Sequence, residues 1–217
     1  MNRNYELAHI KNKLQQIDPE TLPDEQSSLY AVLLPLCLHN GKLSVLFEVR
    51  AHELQRQPGE ICFPGGQLER KDSSALAAAL RETSEELGIA RESIEVLGPL
   101  NILRTLYQNT IYPFAAFIRE NTVFCPDNAE VAEIFFVPLD YLLENRPQIS
   151  HVTVATDPGP DFPYHLIQGG EKYPWHQGKY PVYFYLYQEY VIWGMTARIL
   201  YHFLENIRAS GFPPSSR

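Results

Sequence analysis

Residues 72–89 read DSSALAAALRETSEELGI, the most helix-favouring stretch of the chain, and the run stops at Gly88. At 3.6 residues per turn, Leu76, Leu80, Thr83 and Leu87 fall on one narrow face, which is expected to be core. Glu82, Glu85 and Glu86 share an arc of roughly 100° on the other side, because spacings of three and four bring side chains together. Like charges at these spacings repel by about a few tenths of a kcal/mol per pair. Arg81, four residues before Glu85, can neutralise one carboxylate, and divalent cations can hold the rest, since hard oxygen ligands suit Mg²⁺ or Mn²⁺. An arbitrary Glu-Glu pair on a helix is most often a solvated acidic face, so context decides.

Immediately upstream stands Phe63-Pro64-Gly65-Gly66, whose glycines can bring backbone close to a phosphate or lend a carbonyl to a metal. Farther upstream, Ser28 to Leu38 and Leu43 to Arg50 are strand-like runs separated by Asn40-Gly41, a hairpin signal. Downstream, strands are expected at Ile94 to Leu97, Ile111 to Ile118 and Glu133 to Val137, with one or two helical turns over Pro138 to Glu144. His151 to Tyr180, rich in Pro and Gly, reads as loop or irregular hairpin. Tyr183 to Trp193 reads as one aromatic strand, and Thr196 to Ile207 as a closing helix with an apolar stripe at Ile199, Leu200, Phe203 and Leu204. Tyr5 to Ile17 alternates at helical spacing and predicts a short helix on the outside. The expected organisation is a helical extension over 1–27, one domain over 28–208 and a flexible tail over 209–217.

The formal net charge of −8 disfavours a general nucleic-acid binder, since phosphate backbones reward clustered Lys and Arg. It leaves room for a small anionic substrate held by a few local Arg residues and bound cations. The longest apolar stretch, Ala31 to Leu38, is broken by Pro35 and falls far below the roughly 20 residues that cross a bilayer, so no membrane partner is expected. The polar start and the spacing of Cys37, Cys62 and Cys125 suggest neither export, a disulfide framework nor a structural zinc site. The cysteines read as reduced residues of a cytoplasmic protein, two of them as core filler.

Gly66 followed by Arg81-Glu82-Thr83-Ser84-Glu85-Glu86-Leu87-Gly88-Ile89 resembles the Nudix box, a Gly, a Glu, then Arg-Glu-U-x-Glu-Glu-x-Gly-U with U apolar. The nine-residue half departs only at Thr83. The front half has one residue more than the usual spacing, and Asp72 or Ser73 stands where a Glu is expected; Asp72 at this point suits a helix cap. The resemblance narrows to the coenzyme A pyrophosphatase branch, because Leu46 to Gly66 reads LFEVRAHELQRQPGEICFPGG, an arginine-led element before Phe-Pro-Gly-Gly. Gln55 replaces its second arginine, with Arg56 one place later. Tyr190 to Ala197, and Glu130-Val131 followed by Val137-Pro138-Leu139, resemble the same branch.

The resemblance implies an α/β protein with the Nudix fold, an α/β/α sandwich around a mixed, mostly antiparallel sheet. It implies Glu82 and Glu86 as main metal ligands, Glu85 as assisting, a Mg²⁺ or Mn²⁺ cofactor and hydrolysis of a P–O–P link. Catalytic candidates are Arg81, Glu82, Glu85 and Glu130, the last matching a position where many such enzymes carry a further carboxylate. Arg50 and Arg56 are candidates for substrate phosphates, because a guanidinium donates two parallel hydrogen bonds and stays charged; Gly65 and Gly66 complete the substrate set. Coenzyme A is the expected substrate, with ADP-ribose, NADH, a dinucleotide or a non-catalytic sensing role as alternatives, and a homodimer is left open.

Overall fold

The structure is a computed structural model describing residues 28–106 and 108–209. The helix expected at Tyr5 to Ile17 and most of the expected tail lie outside the described residues; Ala209, assigned to the tail, is the last residue of the closing helix.

The first two strands, β1 (Leu29–His39) and β2 (Lys42–Arg50), form the expected hairpin. Asn40 and Gly41 sit at φ 51° and 75°, the double left-handed turn whose twist matches that of the flanking strands. The short strands β3 (Ile61–Cys62) and β4 (Gly65–Gln67) then pair with β2 and β1, and helix α1 (Ala75–Leu87) follows. Strands β5 (Ile94–Pro99), β6 (Leu103–Arg104), β7 (Thr110–Ile118) and β8 (Val131–Pro138) complete the main sheet. Its central pairing, β1 with β7, is parallel, and the other described pairings are antiparallel.

Alternation along β1 and β2 separates the two cores. Leu33, Cys37 and Leu46 face α1 and meet Leu80 and Leu87. Leu34, Leu36, Val45 and Phe47 face the opposite way, onto α2 (Leu139–Glu144) and α3 (Gly194–Ala209), where Leu142, Ile199, Leu200, Phe203 and Leu204 meet them. Helices therefore cover both faces of a mixed, mostly antiparallel sheet. Each fully buried Leu on these faces stabilises the fold by roughly 1.5–3 kcal/mol.

A second sheet of β9 (Gln148–Ala155), β10 (Gln177–Tyr187) and β11 (Tyr190–Trp193) was not expected in this form. Tyr183 to Trp193 is not one strand: it turns at Gln188, whose φ of 51° is left-handed, and returns as β11. Both arms are aromatic and β-branched, so the residue pattern does not reveal the reversal. The segment read as loop or irregular hairpin contributes two paired strand ends, with Pro181 opposite His151, and its prolines and glycines gather around two short 3-10 turns, Tyr164–Leu166 and Gly170–Lys172. Among the described residues, no helix is long and apolar enough to cross a membrane.

Candidate active site

Helix α1 is set by its ends. The Ser74 hydroxyl accepts a hydrogen bond from the Ala77 N–H at 3.1 Å, so Ser74 caps the helix and Asp72 does not. At the other end Gly88 takes φ 60°, and a Cβ there would lie 1.8 Å from the Cys125 carbonyl oxygen, so both backbone angle and space demand glycine. Thr83, at an apolar position of the motif, is fully buried; its hydroxyl donates to the Ala79 carbonyl at 2.6 Å and thereby needs no outside partner.

The three glutamates do not share one environment. Glu85 points outward, with 59% of its side chain exposed. Glu86 is 4% exposed and accepts the Gly65 N–H at 2.7 Å. Glu82 lies against the glycine loop, where a Cβ on Gly66 would stand 2.5 Å from its carboxyl carbon. Gly65 is equally constrained, since its Cβ would meet the Ala31 carbonyl oxygen at 2.3 Å in a backbone at φ 150°. Both glycines of Phe63-Pro64-Gly65-Gly66 thus let β4 slide between β1 and the carboxylates of α1.

A further carboxylate joins them that sequence reasoning did not single out. Glu48 on β2 is 1% exposed; its Oε1 accepts from the Cys62 thiol at 3.1 Å, and its Oε2 is buried with no partner. Strand alternation was the available signal: Val45, Phe47 and Val49 face one core and Leu46 the other, so Glu48 had to point towards α1. Burial raises the Glu86 carboxyl far above its ordinary value, and the charges of Glu48, Glu82 and Glu130 raise it further, against the Gly65 hydrogen bond. Burial likewise raises Glu48 and Glu82, with Arg50 opposing at Glu48 and Arg81 at Glu82. Cys62 is raised by the same burial and by Glu48.

Glu130 is exposed, yet close enough for its charge to raise Glu48, Glu82 and Glu86. Its loop is tied to the end of α1, the Cys125 N–H donating to the Leu87 carbonyl at 3.0 Å and the Asp127 N–H to the Glu86 carbonyl at 3.0 Å. The Ala51 N–H donates to the Glu130 carbonyl at 2.8 Å and joins that loop to the end of β2.

Arg81 is the fixed cation beside this cluster. Asp72 accepts from its Nε at 3.1 Å and Nη2 at 3.0 Å, while Nη1 donates to Glu82 at 2.8 Å and Glu85 at 3.1 Å. The two-point grip holds Asp72 down to about 2, mainly through the Arg81 hydrogen bonds and the Glu69 N–H. Asp72 thus orients Arg81, and Arg81 orients Glu82 and Glu85. Arg50 lies beside Glu48, its Nε buried without a hydrogen-bond partner, whereas Arg56 is exposed on the loop between β2 and β3. Lys71 pairs with Glu69 at 3.2 Å. Cys37 alone of the three cysteines is buried filler; Cys62 is half-buried at Glu48 and Cys125 is exposed.

Among the described residues, no three His, Cys, Asp or Glu side chains are already gathered as ligands around one point. The donor set nevertheless fits a hard divalent cation. Buried carboxylates held far above their ordinary values, one with an orphaned oxygen, lack the positive charge that would let them ionise together.

Residues 29–155 match the NUDIX domain family, and the chain belongs to the Nudix hydrolases. It is 37% identical over 169 residues to the peroxisomal coenzyme A diphosphatase of Mus musculus, across 76% of this chain and 70% of that protein. It is 31% identical over 190 residues to the uncharacterized Nudix hydrolase NudL of Photorhabdus laumondii, across 88% of this chain and 90% of that one. Among solved structures, a MutT/nudix family protein from Enterococcus faecalis matches 94% of this chain and 69% of its own, with a TM-score of 0.47 at 19% identity, too distant to transfer anything.

Proposed function

We propose that this Nudix hydrolase is a Mg²⁺- or Mn²⁺-dependent pyrophosphatase of coenzyme A, releasing 4′-phosphopantetheine and adenosine 3′,5′-bisphosphate. The observation that carries the reading is that Glu82 and Glu86 lie against the glycine loop, within electrostatic reach of Glu48 and Glu130, with Glu86 buried and one Glu48 oxygen unpartnered. The identity to a mouse protein described as a coenzyme A diphosphatase supports the substrate.

Glu82 and Glu86 would hold the cation, with Glu85 assisting and Glu48 as a candidate additional donor. When bound, the ion offsets charge on nonbridging phosphate oxygens and lowers the pKa of water beside it. Glu130, the exposed carboxylate of the group, takes the proton of the attacking water. The water oxygen bonds to one phosphorus, and the bridging P–O bond breaks with its electron pair leaving on the departing phosphate. Arg81, gripped by Asp72, holds Glu82 and Glu85 in place throughout. Arg50, beside Glu48, is the candidate donor to the pyrophosphate, and Arg56, exposed on its loop, the candidate for the outer part of the substrate. The Gly65 N–H is committed to Glu86, so the glycines act on the substrate by letting it approach closely.

A hydrolysis panel with purified protein and Mg²⁺ or Mn²⁺ tests the substrate. Coenzyme A should give a higher kcat/KM than ADP-ribose, NADH or nucleoside triphosphates; preference for ADP-ribose would overturn the assignment and leave the Nudix chemistry standing. The three free cysteines support a reducing compartment, the cytoplasm in the first instance, which fractionation of the native host would check.

A further inference from the structure

On the α3 side of the main sheet lies a cavity of about 360 Å³ with no role in the chemistry above. Its floor includes Leu103 and Ile199, both part of the α3-side core, so the sheet separates it from the carboxylates of α1. Its polar lining is Asn101, Arg104, Arg198, His202 and Asn206, without a carboxylate. Arg198, His202 and Asn206 recur every four residues and so form one stripe of α3. Arg104 enters from β6, and Asn206 donates to Asn101 at 3.1 Å to tie helix and segment together.

Arg198 is the unusual member. Its guanidinium carbon stands 4.7 Å from the ring centre of Tyr180, while Nε and Nη1 are buried with no hydrogen-bond partner. Among the described residues, no Asp or Glu pairs with Arg198 or Arg104; Glu205, one turn away, is taken by Arg146 and by Arg208 at 2.7 Å. In a chain of net charge −8, two arginines without a carboxylate partner around one cavity are a local positive site. A guanidinium with two nitrogens left without an acceptor and no carboxylate partner is stabilised by a nearby anion with several oxygens.

We propose that this cavity is a second anion site, one that takes a phosphate monoester on Arg198 and Arg104 beside His202. The monoester belongs to a separate phosphorylated small molecule, because the sheet stands between this cavity and the carboxylates proposed to meet the substrate's pyrophosphate. The site itself does not rest on the coenzyme A reading.

The test is a titration of the full-length protein, kept in chelator, with inorganic phosphate, read on the ring C–H resonances of histidine and assigned to His202 by their loss in His202→Gln. The signal should move saturably at roughly millimolar phosphate. Arg198→Gln should weaken the binding by about tenfold or more and Arg104→Gln by less, since each removes charged donors. No saturable movement, or equal movement in both variants and wild type, overturns the site. Should Arg198→Gln fail to fold, the exposed Arg104→Gln decides. Steady-state assays then test the source of the phosphate. A raised KM for coenzyme A but not for dephospho-coenzyme A in Arg198→Gln would place the substrate's own 3′-phosphate here and overturn the separate ligand. Unchanged kinetics beside a phosphate response lost in that variant identifies a separate ligand. If coenzyme A is not cleaved at all, the phosphate titration still decides the site.

Discussion

Helices α1 and α3 cover opposite faces of one sheet and carry opposite charge. Along α1, Glu82 and Glu86 at a spacing of four meet Glu48 and the glycine loop and leave negative charge without enough compensation. Along α3, Arg198 and His202 at the same spacing line one cavity with Asn101 and Arg104, and the two arginines have no carboxylate partner among the described residues. This contrast is the ground on which a cation is proposed for one face and a phosphate for the other. The sheet keeps the two from neutralising one another across the core.

The largest effect should follow from altering the negative side. Glu82→Gln removes charge next to Gly66 while the Leu80 and Leu87 face is untouched, so kcat should fall by about 10²–10³-fold with the far-UV spectrum retained. Turnover at the wild-type rate would break the contrast between the helices.

A second prediction concerns pH. Glu48 and Glu86 are raised in the folded protein, so from the ordinary glutamate value of 4.5 upwards the folded state binds more protons than the unfolded chain. Stability in chelator should therefore be greatest in the acidic part of this window and decline as pH rises through it. Saturating Mg²⁺ should reverse most of the loss by supplying the missing charge. Thermal melts from about pH 5 to about pH 8, with chelator and with Mg²⁺, check this; a midpoint that rises with pH in chelator contradicts it.

The smallest effect is expected at Asp72, which touches Arg81 and no member of the buried group. Asp72→Asn keeps the shape but weakens the two-point grip, so apparent Mg²⁺ affinity or kcat should fall by about tenfold while KM for the substrate holds. An unchanged metal response would show that Glu82 and Glu85 fix Arg81 without help.

The difference between the helices also explains what could be read from the sequence. The α1 site is largely contiguous: the glutamates, Arg81 and the stop at Gly88 occupy one helix, and Gly65-Gly66 stands just upstream. Glu48 is not legible in the sequence because its position depends on which way β2 faces, and Asp72 resembles a cap because its partner, Arg81, is nine residues away and reached by a fold of the loop. The positive cavity was invisible, since Arg104 and Arg198 meet only through tertiary packing and neither lies in a recognisable motif. The two-armed β10 to β11 hairpin was missed for a local reason, a turn at Gln188-Glu189 without the glycine that marks Asn40-Gly41.

The proposed cation ligand set turns on buried Glu86. Its most direct test is Mn²⁺ binding by Glu86→Gln and wild type, measured by paramagnetic titration alongside coenzyme A turnover. The variant should stay folded, bind Mn²⁺ at least about tenfold more weakly and lose nearly all turnover, because one charged ligand is gone. Wild-type Mn²⁺ affinity in the variant, or turnover by wild type in excess chelator, would contradict it.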